Sequence, residues 1–425
     1  MKVIVVLAFS IISVFLNAKT VVHVGNLFDV KSGNLLPEMS VFVENEFITE
    51  VVEGYVPPDP EDIYIDLTGY YAFPGLIDMH VHLTSQSSNR AYLENFTLNA
   101  ADYAIRATKN AEKTLLAGFT TVRNLGDFDS ITISLRNAIN DKITRGPRIY
   151  SSGKTIATTG GHADPTNSLN LKLTSDPGPA EGIINNADDA YKAVRHRYKE
   201  DADLIKITAT GGVLSNAKDG QGPQMTIKEI EAIVDAAKDY GFKVAAHAHG
   251  TEGIKRAVLA GVDSIEHGTI MDGEGLALMK KYGTYYIPTI SAGMFVAAKA
   301  KEPGYYPQII VPKALEIGPR LLNTFTTAYK FGIKIAFGTD SGVSYHGENA
   351  KEFLYMVKGG MSEMEAIRSA TVVASELLGI DDKLGTIESG KIADIIAVNG
   401  NPVKDITSLQ SVVFVMKEGV IYKSE

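Results

Sequence analysis

The sequence predicts an α/β protein: a (β/α)8 barrel of the TIM type, with a small β-sandwich formed by both chain ends. Three observations predict it. From Tyr71 onward apolar strand-like segments alternate with amphipathic helical stretches, and eight such units can be read. Each terminus carries short strands that are too few to bury a face alone, so one shared sheet domain is the simplest arrangement. No Gly-rich dinucleotide loop follows a strand, which argues against the open doubly wound alternative.

The elements follow in order. Strands are expected at residues 20–24, 39–43 and 47–52. Residues 55–62 carry Pro57, Pro58 and Pro60, which hold that segment extended and out of any sheet. Barrel strands are expected at 72–82, 119–124, 148–152, 204–208, 244–247, 264–267, 285–289 and 333–338. The clearest helix is 226–240, with Thr226 as N-cap, Glu229 completing a capping box, Ile230, Ile233, Val234 and Ala237 as the apolar stripe, and Gly241 as stop. Strands at 391–398, 412–416 and 420–423 complete the terminal sheet, the last two joined by a turn at Lys417-Glu418-Gly419. The expected organisation is therefore a leader at 1–18, a composite β domain from 19–71 and 381–425, and a barrel at 72–380.

Composition narrows the function. The chain has 425 residues, enough for a sizeable core, and its 50 Asp and Glu against 41 Lys and Arg give a formal net charge of -9. That balance argues against nucleic acid and against an anionic membrane surface, leaving a small molecule or peptide as partner. Residues 1–18 combine Lys2, an apolar run over 3–16 and Asn17-Ala18, the pattern of a secretory signal peptide cut after Ala18. Leu16 is larger than the residue favoured three positions before such a cut, so an uncleaved anchor stays open. The location expected is periplasmic or secreted, with no stable membrane span after cleavage. The sequence contains no cysteine, which excludes disulfides and thiolate chemistry.

The chemistry begins at Ala72-Phe73-Pro74-Gly75-Leu76-Ile77-Asp78-Met79-His80-Val81-His82, where two imidazoles occupy alternate positions of one strand and point the same way. Functional groups of such barrels sit at the C-terminal ends of strands. Lys206, His247 and His267 pass that filter, as does Asp340 in Phe-Gly-Thr-Asp. Each has an ordinary reading alone: a hydrogen-bonded core histidine, a salt-bridged lysine at the barrel mouth, a helix N-cap aspartate. Core packing does not readily place them together at the ends of five strands, whereas a metal centre requires it.

The motifs Pro-Gly-Leu-Ile-Asp-Met-His-Val-His, Ala-Gly-Phe-Thr-Thr-Val-Arg, Gly-Gly-His-Ala-Asp, Ile-Glu-His-Gly, Phe-Gly-Thr-Asp and Ser-Gly-Lys-Ile-Ala-Asp span the chain beyond the leader. Together they closely resemble the metal-dependent amidohydrolase superfamily, within it the imidazolonepropionase-like zinc carboxypeptidases and dipeptidases. The resemblance implies two Zn2+ ions bridged by a carboxylated Lys206 and a hydroxide, with His80, His82 and Asp340 on the buried ion and His247 and His267 on the exposed one. Lys206 separates such binuclear hydrolases from mononuclear deaminases of the superfamily. Asp340 would transfer the proton to the leaving amine, and His162 would hydrogen-bond the carbonyl oxygen, its ordinary reading being an exposed loop residue.

His249 is the subgroup clue. Related prolidases carry a tyrosine there that contacts the substrate's α-carboxylate, whereas histidine resembles carboxypeptidases that release C-terminal Arg or Lys from dipeptides and N-acyl amino acids. The run from Asp340 through Tyr345-His346-Gly347-Glu348-Asn349-Ala350-Lys351 resembles the same branch. A basic side chain needs an acidic pocket, for which Asp164, Asp219 and Glu348 are candidates. His23 and His196 are read as surface groups. The alternatives are an Xaa-Pro dipeptidase, a cyclic amidase of the imidazolonepropionase type and, of a different class, an inactive scaffold. A homo-oligomer is compatible with the family, though no interface signal stands out.

Overall fold

The computed structural model describes residues 18–170, 172–215 and 220–425. The leader expected at 1–18 lies outside them apart from Ala18, and so does Asp219. Strands β1 (Thr20–Asp29), β2 (Asn34–Glu44), β3 (Phe47–Glu53) and β4 (Ile63–Pro74) open the chain. The barrel takes β5 (Leu76–Val81), β6 (Phe119–Asn124), β7 (Arg148–Ser151), β8 (Ala157–Thr158), β9 (Ile183–Ile184), β10 (Ile205–Thr208), β11 (Val244–Ala248), β12 (Ser264–His267) and β13 (Tyr285–Ile287), of which β8 and β9 form a small pair of their own. Strands β14 (Ile395–Val398), β15 (Val412–Lys417) and β16 (Val420–Ser424) end it.

The terminal strands form one seven-stranded sheet, in the order β16-β15-β14-β4-β1-β2-β3. The two chain ends meet where β14 runs antiparallel to β4, with Ile395 opposite Pro74 and Val398 opposite Tyr71. The sheet curls back on itself, since Phe47 at the start of β3 bridges Ile392. Val22, Val41, Ile65, Ile395 and Phe414 fill the core between its faces. Strand β4 has no counterpart in the sequence reading, which stopped at the proline segment and joined 72–74 to the barrel. Gly75 divides the two, because a Cβ there would come within 2.2 Å of Thr120 Oγ1, and no side chain fits where β5 enters the barrel.

Hydrogen bonds close the barrel. Strands β5, β6 and β7 are parallel neighbours, as are β10 to β13. Asp203 N to Ser151 O (2.7 Å) and Ile156 N to Lys206 O (2.8 Å) join the first set to the second. Residues 333–338, expected as the eighth strand, form a single ladder bridge, Tyr286 to Ile335, yet they bond on both sides. Tyr286 N donates to Lys334 O at 2.9 Å, and Met79 N donates to Phe337 O at 2.9 Å. The expected helix spans Ile227–Asp239, with the Thr226–Glu229 capping box formed in both directions. No helix among the described residues is long and apolar enough to cross a membrane.

His23 is a correction to the sequence reading. It is buried rather than on the surface, its Nε2 2.8 Å from Val56 O and its ring stacked on Tyr55 at 4.9 Å. The proline segment folds over it, a long-range contact that local sequence does not announce. His196 is partly exposed in the helix Ala187–Lys199.

Candidate metal centre

The barrel brings the expected side chains to one cavity of about 720 Å3, lined among others by His80, His82, His162, Lys206, His247 and His267. His249 and Asp340 line it too. The imidazoles touch in sequence: His82 to His80 at 5.3 Å between centroids, His80 to His267 at 5.0 Å, His267 to His247 at 4.7 Å and His247 to His162 at 4.4 Å. His249 stacks on His267 at 5.0 Å and meets His247 edge-on at 4.6 Å. Three neighbouring strand ends achieve this with left-handed backbone at non-glycine residues: φ is 70° at His267, 49° at Thr289 and 57° at Asp340. Such angles cost energy and collect at functional sites, and all three residues face the cavity.

Two groups have ligand atoms mutually within 4.8 Å: His80, His267 and Asp340, and His247, His249 and His267. His80 Nε2 and Asp340 Oδ1 are buried, 3.5 Å apart, with no hydrogen-bond partner. His82 Nε2 stands 3.1 Å from the same Asp340 oxygen. Buried polar atoms left unpaired are costly, and a cation between them would satisfy them together. The residues therefore fit a metal. His249, expected only at the substrate, stands as close to His247 and His267 as a ligand would.

The protonation states agree with this fit. Burial, followed by the Lys206 charge, lowers His80 and His162 to about 4; burial and then His162 lower His249 to about 3. Burial also holds His247 and His267 well below the usual histidine range. All five are neutral near pH 7, the form that donates a lone pair to a metal. Burial lowers Lys206 to about 8 against the pull of Glu266 and Asp340, so its neutral amine, the form that can take up CO2, is within reach. Burial pushes Asp340 upward, but His80, His82 and Lys206 outweigh it and keep it a carboxylate.

Behind these groups lies a shell that sequence reasoning missed. Glu266 accepts from Arg123 Nη2 (2.8 Å) and Ser264 Oγ (2.5 Å), and its Oε2 is 2.8 Å from His80 Nδ1. That contact makes Nδ1 the donor and turns Nε2 toward the metal position, as metal-binding histidines require. Burial would raise Glu266, but Arg123 and His80 hold it near 2. Asp78 accepts from His80 N (3.1 Å), Thr339 Oγ1 (2.6 Å) and Asn349 Nδ2 (2.8 Å), tying β5 to the last barrel segment. On the other side Thr289 Oγ1 meets His267 Nδ1 at 2.7 Å, Thr269 Oγ1 meets His249 Nδ1 at 2.6 Å, and Gly211 O meets His247 Nε2 at 3.1 Å. A charged residue on an otherwise apolar strand was the available signal for Asp78, Arg123 and Glu266.

The loop histidine is held too. His162 N donates to Gln224 Oε1 at 2.8 Å, while its Nδ1 is buried without a partner. Gly212 permits this approach, since a Cβ there would fall 2.1 Å from the His162 ring. Of the acidic pocket candidates, Asp164 and Glu348 are not brought in. Asp164 is spent on its own loop, accepting from Gly160 N (2.7 Å) and Thr166 Oγ1 (2.6 Å), and exposed Glu348 pairs with Lys351 at 2.6 Å. Apart from Asp340, Glu94 is the acid on the cavity wall among the described residues, and Arg106 pairs with it at 3.1 Å.

Residues 71–422 match the family model described as "Amidohydrolase family". The chain belongs to the amidohydrolase family. This amidohydrolase is similar to a solved Xaa-Pro dipeptidase with bound methionine, at 52% identity and TM-score 0.94 over 96% of this chain and 100% of that one. It is also similar to a solved prolidase complexed with N-methylphosphonate-L-proline, at 31% identity and TM-score 0.87, again over 96% and 100%. Ochratoxinase of Aspergillus niger is 31% identical over 368 residues, 82% of this chain and 75% of its own. The amidohydrolase is thus a hydrolytic enzyme acting on a peptide or amide bond.

Proposed function

We propose that the chain is an exported zinc-dependent hydrolase of the C-terminal peptide or amide bond of dipeptides, short peptides or N-acyl amino acids. One observation carries this reading: neutral imidazoles, one carboxylate and a lysine of lowered pKa converge on one cavity, with His80 Nε2 and Asp340 Oδ1 buried and unpartnered. His80, His82 and Asp340 would hold one ion and His247 and His267 a second, with carboxylated Lys206 between them. When bound, such ions lower the pKa of water and polarise a carbonyl. Asp340 takes a proton from the attacking water and delivers it to the leaving amine. His162 donates a hydrogen bond to the carbonyl oxygen as charge develops there. His249, with Nδ1 engaged by Thr269, presents Nε2 to the substrate's carboxylate.

An Xaa-Pro dipeptidase is the second reading, favoured by the names of the two solved relatives. Elemental analysis and a peptide panel test both. About two zinc ions per chain are expected, with hydrolysis of Ala-Xaa dipeptides; Ala-Pro as the one cleaved substrate would favour the second reading. One ion per chain would remove the bridging role of Lys206, and no cleavage of any peptide or N-acyl amino acid would overturn the peptidase assignment.

A further inference from the structure

We infer that the cavity beyond the imidazoles is a pocket for one large apolar side chain, that of the substrate's C-terminal residue, with the Tyr306 hydroxyl as its polar contact. This rests on the peptidase reading above and names its substrate class. The wall comes from two helices, Ile290–Lys299 and Val311–Phe331. They cross at Gly293 and Gly318, where a Cβ on Gly293 would come 2.4 Å from Leu321 Cδ1 and one on Gly318 3.0 Å from Gly293 O. That close crossing sets Val296, Ile317 and Leu321 side by side on the cavity, where Val213, Leu214 and Tyr306 join them in one apolar cluster. Val213 and Ile317 also wall the smaller adjoining cavity in which His249 stands, so the apolar wall lies beside the group assigned to the C-terminal carboxylate.

The charge pattern points the same way. Among the described residues, and apart from Asp340 at the imidazoles, the wall offers a basic side chain no unpaired carboxylate, because Glu94 is held by Arg106. The polar handle is Tyr306. The residue is 8% exposed, its hydroxyl is buried, and Ser87, which interacts with it, also pairs with Tyr305, Oγ to Oη 3.2 Å. Tyr306 lines the cavity, and a hydroxyl in an otherwise apolar wall is suited to a ligand atom.

Kinetics of the zinc-loaded protein on Ala-Met, Ala-Leu, Ala-Phe, Ala-Arg and Ala-Lys test the pocket, alongside calorimetry with free L-methionine and L-arginine. The expected result is at least a tenfold higher kcat/KM for the apolar peptides and tighter binding of methionine. Equal or better use of Ala-Arg overturns the inference while leaving the peptidase reading standing. If no peptide is cleaved, that reading fails, and calorimetry alone decides the pocket: methionine over arginine upholds it, no difference overturns it. Tyr306→Phe separates a ligand role from a structural one. Its melting temperature should hold or rise while KM and methionine dissociation increase several-fold with kcat retained; a lowered melting temperature with unchanged binding assigns the hydroxyl to the fold.

Discussion

The two halves of the imidazole cluster are built from different materials. His80, with Asp340 facing it, is backed by ions: Glu266 behind its ring, Arg123 behind Glu266, and Asp78 beneath the backbone. His247, His249 and His267 are backed by neutral groups, the Gly211 carbonyl and the hydroxyls of Thr269 and Thr289. An ionic backing fixes one tautomer and raises ligand basicity, whereas a hydroxyl can donate or accept and lets the ring adapt. On the proposed metal reading the first half would hold its ion the more firmly, and the rings of His249 and His267 in the second would adapt more easily to a ligand or substrate.

The largest effect expected is on turnover. Asp340→Asn should leave most metal bound yet slow hydrolysis by about 10²–10⁴-fold, the usual worth of a proton-transfer group; a rate near wild type, with metal content unchanged, would remove Asp340 from that role. Next comes Glu266→Gln, which leaves Arg123 buried without its counter-charge. Unfolding in urea should show a loss of about 3–5 kcal/mol, accompanied by weaker metal retention; a loss below about 1 kcal/mol would mean that the ionic backing carries little.

An intermediate effect follows from Glu352, whose carboxylate accepts from Ile290 N (2.8 Å) and Ser291 N (2.6 Å), just behind Thr289. Burial raises this group to about 7, and the backbone donors only partly offset it. Its folded pKa exceeds the unfolded value, so the folded state binds the proton more tightly, and the stability this contributes is present in acid and lost as pH rises from about 4.3 through 7. Melting curves across that window should fall with pH by an amount equivalent to about 2–3 kcal/mol, and Glu352→Gln should flatten the slope; an unchanged slope would place the titration elsewhere. The smallest effect belongs to Thr289→Val, which removes one neutral hydrogen bond from His267. Metal affinity should weaken by only about 2- to 10-fold, and a loss as large as that of Glu266→Gln would erase the distinction between the halves.

Much of the site was legible because its residues sit at strand ends, where one rule of barrel geometry selects them. His80, His82, Lys206, His247, His267 and Asp340 needed no contact information beyond their position after an apolar run. Glu266 stood in the same Ile-Glu-His-Gly motif and went unread, because its partners Arg123 and His80 are 143 and 186 residues away in sequence. The left-handed turns at His267, Thr289 and Asp340 were equally hidden, since no glycine marks them. The apolar wall was illegible for another reason: Val296, Ile317 and Leu321 lie on amphipathic helices whose pattern is that of ordinary core. Strand β4 was missed because three prolines precede it, although they end before the strand begins.

The meeting of the chain ends has a consequence for how the molecule is made. Strand β4 finds its neighbour β14 only when Ile395 reaches Pro74, so one edge of the N-terminal strands waits for nearly the whole polypeptide. Closing so long a loop costs entropy before it returns any contact, and contacts of this separation slow folding. During synthesis β1 to β4 therefore carry an unpaired edge, which invites pairing with another nascent chain. Because β4 continues across Gly75 into the strand that carries His80, the last strands to be made also fix the base of the first ligand strand. A chain shortened before β14 would keep every proposed ligand and lose the anchor beneath the first of them.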